Sequence, residues 1–182
     1  MKMEAIQDEA VKDNIKIMNR EINTANKIIT DLLDFARIKE PIRQDTDINQ
    51  LVTETLSKSL IPENITVSTD LTEGMAPISI DPIQVGQIFL NLIENAAHAM
   101  GKGGTLTIST RTADGATEAI FADNGCGIPK EDKTFEPLFT TKAKGIGLGL
   151  SVSKSLAKAN GASILVESEE GKGSRFVVRF GD

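Results

Sequence analysis

One predicted helix carries an unusual row of polar side chains on an otherwise apolar surface. Residues 87–100 read QIFLNLIENAAHAM, and this stretch holds the only histidine of the 182-residue chain. Amide groups suit a partly enclosed ligand pocket, because they donate and accept hydrogen bonds without the free energy of burying a charge. A polar row that simply faces solvent is the alternative, and the row alone does not decide. At about 100° per residue, the polar side chains fall within an arc of roughly 100°: Gln84, Gln87, Asn91, Glu94, Asn95 and His98.

The ends of this helix are marked in the sequence. Asp81 followed by Pro82, with Gln84 three residues after the aspartate, predicts an N-cap, a helix-starting proline and a capping-box partner. Gly101 is a natural stop. We therefore predict a helix over 82–100. By the same reasoning, Asp47 with Gln50 predicts a second, shorter helix that continues through LVTETLSKSL.

Three glycine-containing runs follow the polar helix: DNGCGIP at 123–129, GIGLGL at 145–150 and GKGS at 171–174. Each run by itself is typical of a turn. GIGLGL does not follow a strand directly, which argues against a dinucleotide-binding fingerprint, and the chain has no P-loop motif. The stretch 124–147 is long for an ordinary connection and is predicted to be a functional lid.

The remaining pattern predicts the fold class. Short strands are predicted for ITVSTDL (65–71), APISI (76–80), GTLTISTRT (104–112), TEAIFAD (117–123), SILVES (163–168) and SRFVVRF (174–180). Another helix is predicted for GLSVSKSLAKAN at 149–160. Strands interleaved with these helices and two hairpins predict an α/β (α+β) two-layer sandwich, with a mixed sheet packed on helices.

The N-terminal segment has a different texture. It contains no glycine or proline before Pro41, and its apolar residues recur at alternating steps of four and three, as in a heptad seam that packs against partner helices. A helix folded back on its own domain is the alternative. We expect a long helix over 1–40 and a separate domain over 41–182. The seam consists of Val11, Ile15, Met18, Ile22, Ala25, Ile29, Leu32 and Ala36.

Composition excludes several classes of protein. A net charge of -6 and the absence of tryptophan and tyrosine argue against a nucleic-acid binder. The single cysteine excludes an internal disulfide and fits a reducing compartment. No apolar run is long enough to span a bilayer, and no signal-peptide pattern is present. We expect a cytoplasmic location and no membrane contact by this segment.

Taken in order, the motifs resemble those of the ATP-binding domain of sensor histidine kinases, in the superfamily that also includes gyrase and mismatch-repair ATPases. NLIENA resembles the asparagine box, DNGCG the first glycine box and FEPLF at 135–139 the phenylalanine box. GIGLGL and GKGS resemble the two later glycine boxes. The stretch ITDLLDFAR at 29–37 looks like the second helix of the dimerisation and phosphotransfer bundle. The resemblance covers nearly the whole chain.

The resemblance implies a role for each matching residue on the base side and the metal side of the site. Asp123 would accept a hydrogen bond from the exocyclic amino group of adenine, and Ser174 would complete a water bridge to the base. An amide oxygen of Asn95 would bind Mg²⁺, and Asn91 would hold a metal-bound water or a phosphate. His98 occupies a position where many relatives have a phosphate-contacting lysine; a hydrogen-bonded histidine at a helix end is the alternative.

On the phosphate side, the resemblance places the later glycines before a helix whose N-terminal N–H groups take a phosphate. Phe135 and Phe139 would anchor the lid, which spans about 128–147, and Lys142 and Lys144 would be phosphate contacts within it. The residues expected at ATP are Asn91, Asn95, His98, Asp123, Gly125, Gly127, Ile128, Thr141, Lys142, Gly145, Gly147, Leu148, Gly149, Leu150 and Ser174.

The implied function is donation of the ATP γ-phosphate to a histidine on a bundle helix, for relay to the receiver domain of a response regulator. No motif like H-E-x-x-N-P is present, so we expect no catalytic acceptor in this chain, either because it is a fragment or because the kinase is split. The expected partners are ATP, Mg²⁺, the acceptor-histidine helix, the receiver domain and, in the full-length protein, a second copy; no nucleic acid is expected.

Three other functions share this pocket. An ATP-hydrolysing clamp would carry a general-base glutamate at the position of Asn91, and an amide cannot accept that proton. A protein-serine kinase of the anti-sigma type would lack the long heptad helix. A dimerisation and docking module without catalysis would use the nucleotide only to order its lid.

Overall fold

The structure is a computed structural model that describes residues 11–19, 21–22, 25–26, 39–129, 134–137 and 147–181. In the N-terminal segment, residues 11–19, 21–22 and 25–26 are helical. The rest of the predicted long helix up to residue 38, namely residues 1–10, 20, 23–24 and 27–38, lies outside the described residues. In the described part of the chain, no helix combines the length and apolar character needed to cross a membrane.

The described part of the domain contains two sheets, a small antiparallel sheet of two strands and a larger mixed sheet of five strands. The short strands β1 (Gln44–Thr46) and β3 (Ile78–Ile80) pair antiparallel. The main sheet has five strands in the order β2-β4-β5-β7-β6. Within it β2 and β4 are parallel and the other neighbours are antiparallel, so the predicted mixed sheet is confirmed. Its strands are β2 (Ile65–Leu71), β4 (Gly104–Ala113), β5 (Ala116–Asp123), β6 (Ala162–Glu169) and β7 (Gly173–Phe180).

Three helices form the second layer: α1 (Ile48–Lys58), α2 (Pro82–Ala99) and α3 (Gly149–Ala159). Helix α2 lies between the other two and packs on the sheet. Its Phe89 ring meets the ring of Phe121 on β5 with the ring centroids 5.1 Å apart, a tilted arrangement that aromatic pairs favour. The predicted α/β two-layer sandwich is therefore confirmed. The buried apolar residues of α2 are Val85, Ile88, Phe89, Leu92, Ile93 and Ala96.

Both predicted N-caps are present, but neither forms the predicted reciprocal capping box. The Asp81 carboxylate accepts hydrogen bonds from the backbone N–H groups of Ile83 and Gln84. The N–H of Asp81 instead donates to Asn160 Oδ1 at 2.8 Å, and the Gln84 side chain turns elsewhere. At α1, the Asp47 side chain caps the helix in the same way, while the Gln50 amide donates to Glu54. The expected back-bonding of Gln84 and Gln50 was wrong, because each amide has a competing partner.

The outer face of the sheet holds a buried carboxylate. Glu118 on β5 alternates with the core residues Ala119 and Phe121, so its side chain lies on the face opposite the helices. The carboxylate accepts from Arg111 Nε at 2.7 Å and from Arg179 Nη1 at 3.0 Å. Burial raises the pKa of Glu118, but the hydrogen bonds and charges of the two arginines outweigh burial and leave that pKa lowered.

This arrangement predicts an acid-dependent contribution to stability. The contribution is complete above the ordinary value of 4.5 and is lost as pH falls through the lowered pKa of the folded state. We expect Glu118→Gln to reduce the free energy of unfolding at pH 7 by about 1–2 kcal/mol, because two charge-assisted hydrogen bonds are weakened. Urea unfolding at a series of pH values measures this, and the difference from the unsubstituted chain should vanish in acid.

The matched control is Glu167→Gln. Glu167 pairs with Arg175 at 3.1 Å, but its side chain is exposed, so we expect a change below about 0.5 kcal/mol. Equal losses for the two substitutions at pH 7 would contradict the prediction.

Candidate functional site

The motifs singled out in the sequence meet at the C-terminal half of α2. The loop that follows β5 (residues 124–129) lies against the end of α2, because Cys126 N–H donates to the carbonyl oxygen of Ala99 at 3.1 Å. The turn between β6 and β7 closes over the same loop, with Gly171 N–H donating to the carbonyl oxygen of Cys126 at 2.8 Å. Helix α3 begins beside the same half of α2. Four separate stretches of sequence thus form one site.

Asp123 ends β5 at the centre of this arrangement. Its carboxylate accepts the Gly125 N–H at 2.8 Å, and the backbone N–H of Ser174 is a second donor. Burial raises the pKa of Asp123, and these two hydrogen bonds only partly offset that effect. Among the described residues no cationic side chain contributes to the pKa shift of Asp123, and the carboxylate would gain from a hydrogen-bond donor that a ligand brings.

Glycine at position 125 permits a very close approach of the loop to α2. A Cβ atom on Gly125 would lie 2.7 Å from both the carbonyl carbon and the oxygen of Ala99. Gly127 has a positive φ of 69°, and a Cβ there would collide with the carbonyl of Glu169. Any other residue at either position forces the loop away from the elements that hold it.

Two serines fix the loop to the final hairpin. Ser168 Oγ accepts the Ile128 N–H at 2.8 Å, donates to the carbonyl of Gly173 at 2.9 Å, and lies 3.0 Å from Ser174 Oγ. Ser174 is buried and pairs in register with Asp123. The expected Ser174 therefore lies beside Asp123, and Ser168 is a further site residue that the sequence analysis missed. Its place in an alternating strand gave no signal of this role.

Asn91 joins α2 to the start of α3. Its Nδ2 donates to Ser153 Oγ at 2.9 Å, and its Oδ1 lies against Gly149, where a Cβ atom would collide with it. The structure thus places Asn91 and Gly149 together, as the motifs implied. Ser153, buried on α3, was missed because a serine within a helical pattern carries no distinctive signal.

The N-terminus of α3 differs from those of the other two helices. Asp47 and Asp81 cap α1 and α2 with side-chain hydrogen bonds, whereas the N-cap of α3 is Leu148, which makes none. An aspartate cap would repel an anion, whereas the leucine at this position offers no side-chain acceptor to the first-turn N–H groups of α3. Leu148 itself is buried, and Leu150 packs on the core.

The last turns of α2 carry Asn95 and His98. Asn95 is half-buried, one turn beyond Asn91, and His98 is exposed. The Nδ1 atom of His98 lies 2.6 Å from the carbonyl oxygen of Glu94, which is the local hydrogen bond expected of a histidine at a helix end. Among the described residues there is no cluster of histidine, cysteine, aspartate or glutamate side chains that would hold a metal by itself.

Only part of the predicted lid is described. Phe135 packs against the hydrophobic core, as predicted, and the Lys154 ammonium of α3 lies 5.1 Å from the centre of its ring, within the range of a cation–π contact. Four of the expected site residues and contacts, namely Thr141, Lys142, Lys144 and Gly145, lie outside the described residues, as does Phe139. Gly147 is described and has a positive φ of 72°.

The polar row of α2 divides into two parts. Asn91 and Asn95 lie in the half beside Asp123 and the start of α3. Gln84, in the first turn of α2, instead donates to the carbonyl oxygen of Lys39 at 3.0 Å and accepts from Asn160. The contacts of Gln84 are therefore with Asn160 and with the segment that enters the domain, and not with the residues around Asp123.

Comparison with known proteins agrees with this geometry. The family model described as histidine kinase-, DNA gyrase B-, and HSP90-like ATPase matches residues 80–182. The sensor histidine kinase ZraS of Klebsiella oxytoca is 34% identical over 166 residues, which is 88% of this chain and 36% of ZraS. The chain thus spans about a third of the length of the curated relatives it matches.

Two solved structures share the fold. Full-length ShkA in complex with AMPPNP superimposes with a TM-score of 0.76 and 26% identity, covering 88% of this chain and 36% of ShkA. The histidine kinase ThkA in complex with the response regulator TrrA gives a TM-score of 0.75 and 22% identity, covering 93% of this chain and 51% of ThkA.

Proposed function

The chain belongs to the family of histidine kinase-, DNA gyrase B-, and HSP90-like ATPases, and on that premise we propose that it is the ATP-binding catalytic part of a sensor histidine kinase. In the proposed reaction an imidazole nitrogen of an acceptor histidine on another helix attacks the γ-phosphorus of ATP. The bond from that phosphorus to the β,γ-bridging oxygen breaks, its electron pair leaves with ADP, and the imidazole releases a proton to solvent.

The observation that carries the proposal is the setting of Asp123. It is a carboxylate held by two backbone N–H groups, with its pKa raised by burial. A carboxylate in this state is suited to accept a hydrogen bond from the exocyclic amino group of adenine, because the ligand adds a donor to the two backbone N–H groups. Gly125 and Gly127 let the loop pack closely against Ala99 and Glu169 beside this carboxylate. Ile128, whose backbone N–H is held by Ser168, is proposed to cover the ring.

The phosphates are proposed to lie at the start of α3. The first-turn N–H groups there have no side-chain cap, and helix N-termini with free N–H groups bind anions. This local dipole explains how a chain with a net charge of -6 binds a polyanion. Gly145 and Gly147, with Thr141 and Lys142 of the lid, complete the proposed phosphate contacts.

Mg²⁺ is proposed to reach the site with the nucleotide. Asn95 offers a neutral hard oxygen, and Mg²⁺ in such sites takes one or two protein ligands and completes its shell with phosphate oxygens and water. The absence of an acidic metal cluster among the described residues fits a metal that is held mainly by its nucleotide. Asn91 and His98 then lie one turn away on either side as contacts for metal-bound water or phosphate.

The N-terminal helix is proposed to receive the acceptor helix and a second copy of the protein. Along its described part, the seam residues Val11, Ile15, Met18 and Ile22 are each at least half exposed, and such a row gains free energy when a partner helix covers it. The response regulator is proposed as the next phosphate acceptor; ThkA, which shares the fold, was solved with one.

Asp123→Asn tests the base-binding site. We expect ATP affinity to fall by roughly ten- to a hundredfold, because a charge-assisted hydrogen bond is lost. The free chain should be as stable as before or more stable at pH 7, since an acid whose folded pKa is raised lowers stability once pH exceeds its ordinary value. Calorimetry and urea unfolding measure the two quantities. Unchanged ATP affinity would rule out the adenine assignment.

Asn95→Ala tests the metal. We expect it to weaken Mg²⁺–ATP binding by far more than it weakens ATP binding in EDTA, because it removes a metal ligand and leaves the base contacts. The two calorimetric titrations are compared on the same variant. Equal losses in both would point instead to general damage to α2.

Phosphoryl transfer separates binding from catalysis. The chain alone, incubated with γ-labelled ATP and Mg²⁺, should incorporate no acid-labile phosphate, because it carries no acceptor-histidine motif. A separate acceptor-helix fragment should restore labelling, since this reaction depends mainly on holding donor and acceptor in line. We expect Ile22→Asp on the seam to abolish the rescue while ATP binding persists, and Lys16→Glu, off the seam, to preserve it.

Two results would contradict this proposal. One is phosphate on His98 or on another residue of the isolated chain. The other is steady ATP hydrolysis without any transfer to the fragment, which would favour the clamp function instead.

A further inference from the structure

Residues 39–43, where the chain enters the domain, are held by four hydrogen bonds within the described part of the chain. Gln84 Nε2 donates to the carbonyl oxygen of Lys39 at 3.0 Å, and the Ile42 N–H donates to Asp81 Oδ2 at 2.8 Å. The Arg43 guanidinium donates to the carbonyl oxygen of Ala159 at 3.0 Å and to that of Ser79 at 3.4 Å. Strand β1 follows directly and pairs with β3.

The side chains that receive this segment are themselves buried and joined to one another. Asp81, Gln84 and Asn160 are 6%, 9% and 3% exposed. Asn160 Nδ2 donates to Gln84 Oε1 at 2.9 Å, and Asn160 Oδ1 accepts the Asp81 N–H at 2.8 Å. Both polar atoms of the Gln84 amide are thus used, one outward to Lys39 and one inward to Asn160, and such a satisfied buried network holds one geometry.

This network lies at the far ends of the two helices that wall the nucleotide site. Gln84 is in the first turn of α2, about 16 Å along the helix axis from Asn95 at 1.5 Å per residue. Asn160 is the C-cap of α3, whose other end begins at Gly149 beside Asn91. The entering segment is therefore fixed to the same two rigid helices that would hold ATP.

We propose that Gln84 and Asn160 are positioning residues for phosphoryl transfer: with Asp81 and Arg43 they form a clasp that fixes where the N-terminal helix leaves the ATP-binding domain. The inference rests on the proposed function. In the proposed function the acceptor helix packs on the N-terminal helix, and residues 39–43 carry the chain from there into the domain. The geometry of residues 39–43 therefore contributes to the distance and line from the imidazole nitrogen to the γ-phosphorus. In-line transfer is sensitive to displacements of about 1 Å, whereas ATP binding within the domain does not involve the segment.

The test uses two substitutions of the clasp and a matched control for each. Gln84→Met keeps the length of the side chain and removes both amide hydrogen bonds. Arg43→Met removes the guanidinium from an exposed position and should not affect folding. Their controls are Gln50→Met, which breaks an exposed contact with Glu54, and Arg175→Met, which breaks an exposed pair with Glu167.

The first readout is independent of activity. Spin labels are placed at Lys16→Cys on the N-terminal helix and Glu73→Cys on the domain, in a Cys126→Ser background, and the distance distribution between them is measured by pulsed electron paramagnetic resonance. We expect both clasp substitutions to broaden or shift the distribution and both controls to leave it unchanged. Unchanged distributions for Gln84→Met and Arg43→Met together would overturn the inference, whatever happens to activity.

The second readout is transfer to the acceptor-helix fragment. For the clasp substitutions we expect kcat to fall by at least about tenfold, with the KM for ATP and the calorimetric ATP affinity unchanged. A parallel loss of ATP affinity would mean that the residues only stabilise the domain, and would also overturn the inference. If the unsubstituted chain transfers no phosphate, the proposed function fails, and the distance measurement still decides whether the clasp holds the helix.

Discussion

The packing of α2 against the sheet is the contact on which the rest of the structure depends. Phe89 meets Phe121 at the centre of that interface, and α2 also touches α1 and α3 along its length. Because its apolar side is committed to the core, the position of its polar side is fixed as well. The free energy of apolar burial therefore fixes where the amide side chains on the other side of α2 lie, although these amides do not add to that burial.

Close backbone contact completes the site around this helix. The glycines at 125, 127 and 149 stand where a Cβ atom would strike Ala99, Glu169 and Asn91. Each therefore removes side-chain volume at a point where two elements touch, which is a different requirement from making a turn. This explains why single glycine runs in the sequence are ambiguous, whereas their convergence in three dimensions is not: Gly125 and Gly149 both meet α2, and Gly127 meets the end of β6.

The sequence predicted those features whose signal is local. The strand ITVSTDL coincides with β2, the helix predicted over 82–100 ends one residue early, and both aspartate caps are present. What it missed depends on partners distant in the chain. Strand β1 is polar and exists only because β3 lies beside it. Ser168 and Ser153 look like ordinary strand and helix residues, and Gln84 bonds to Asn160 across 76 positions. No periodicity or cap pattern encodes such a contact.

Two carboxylates of β5 show how the same sheet separates stability from binding. Glu118, on the outer face, is supplied with two arginines, and its pKa is lowered. Asp123, at the end of the same strand, has only backbone donors among the described residues, and burial leaves its pKa raised. Ionised Glu118 therefore stabilises the folded chain, whereas ionised Asp123 lowers its stability until a ligand donates a hydrogen bond to the carboxylate. A binding site commonly contains a residue that lowers the stability of the ligand-free protein and forms a favourable hydrogen bond once the ligand is present. Glu118 lies on the outer face of β5 and Asp123 at its end, and these positions give the two carboxylates their different surroundings.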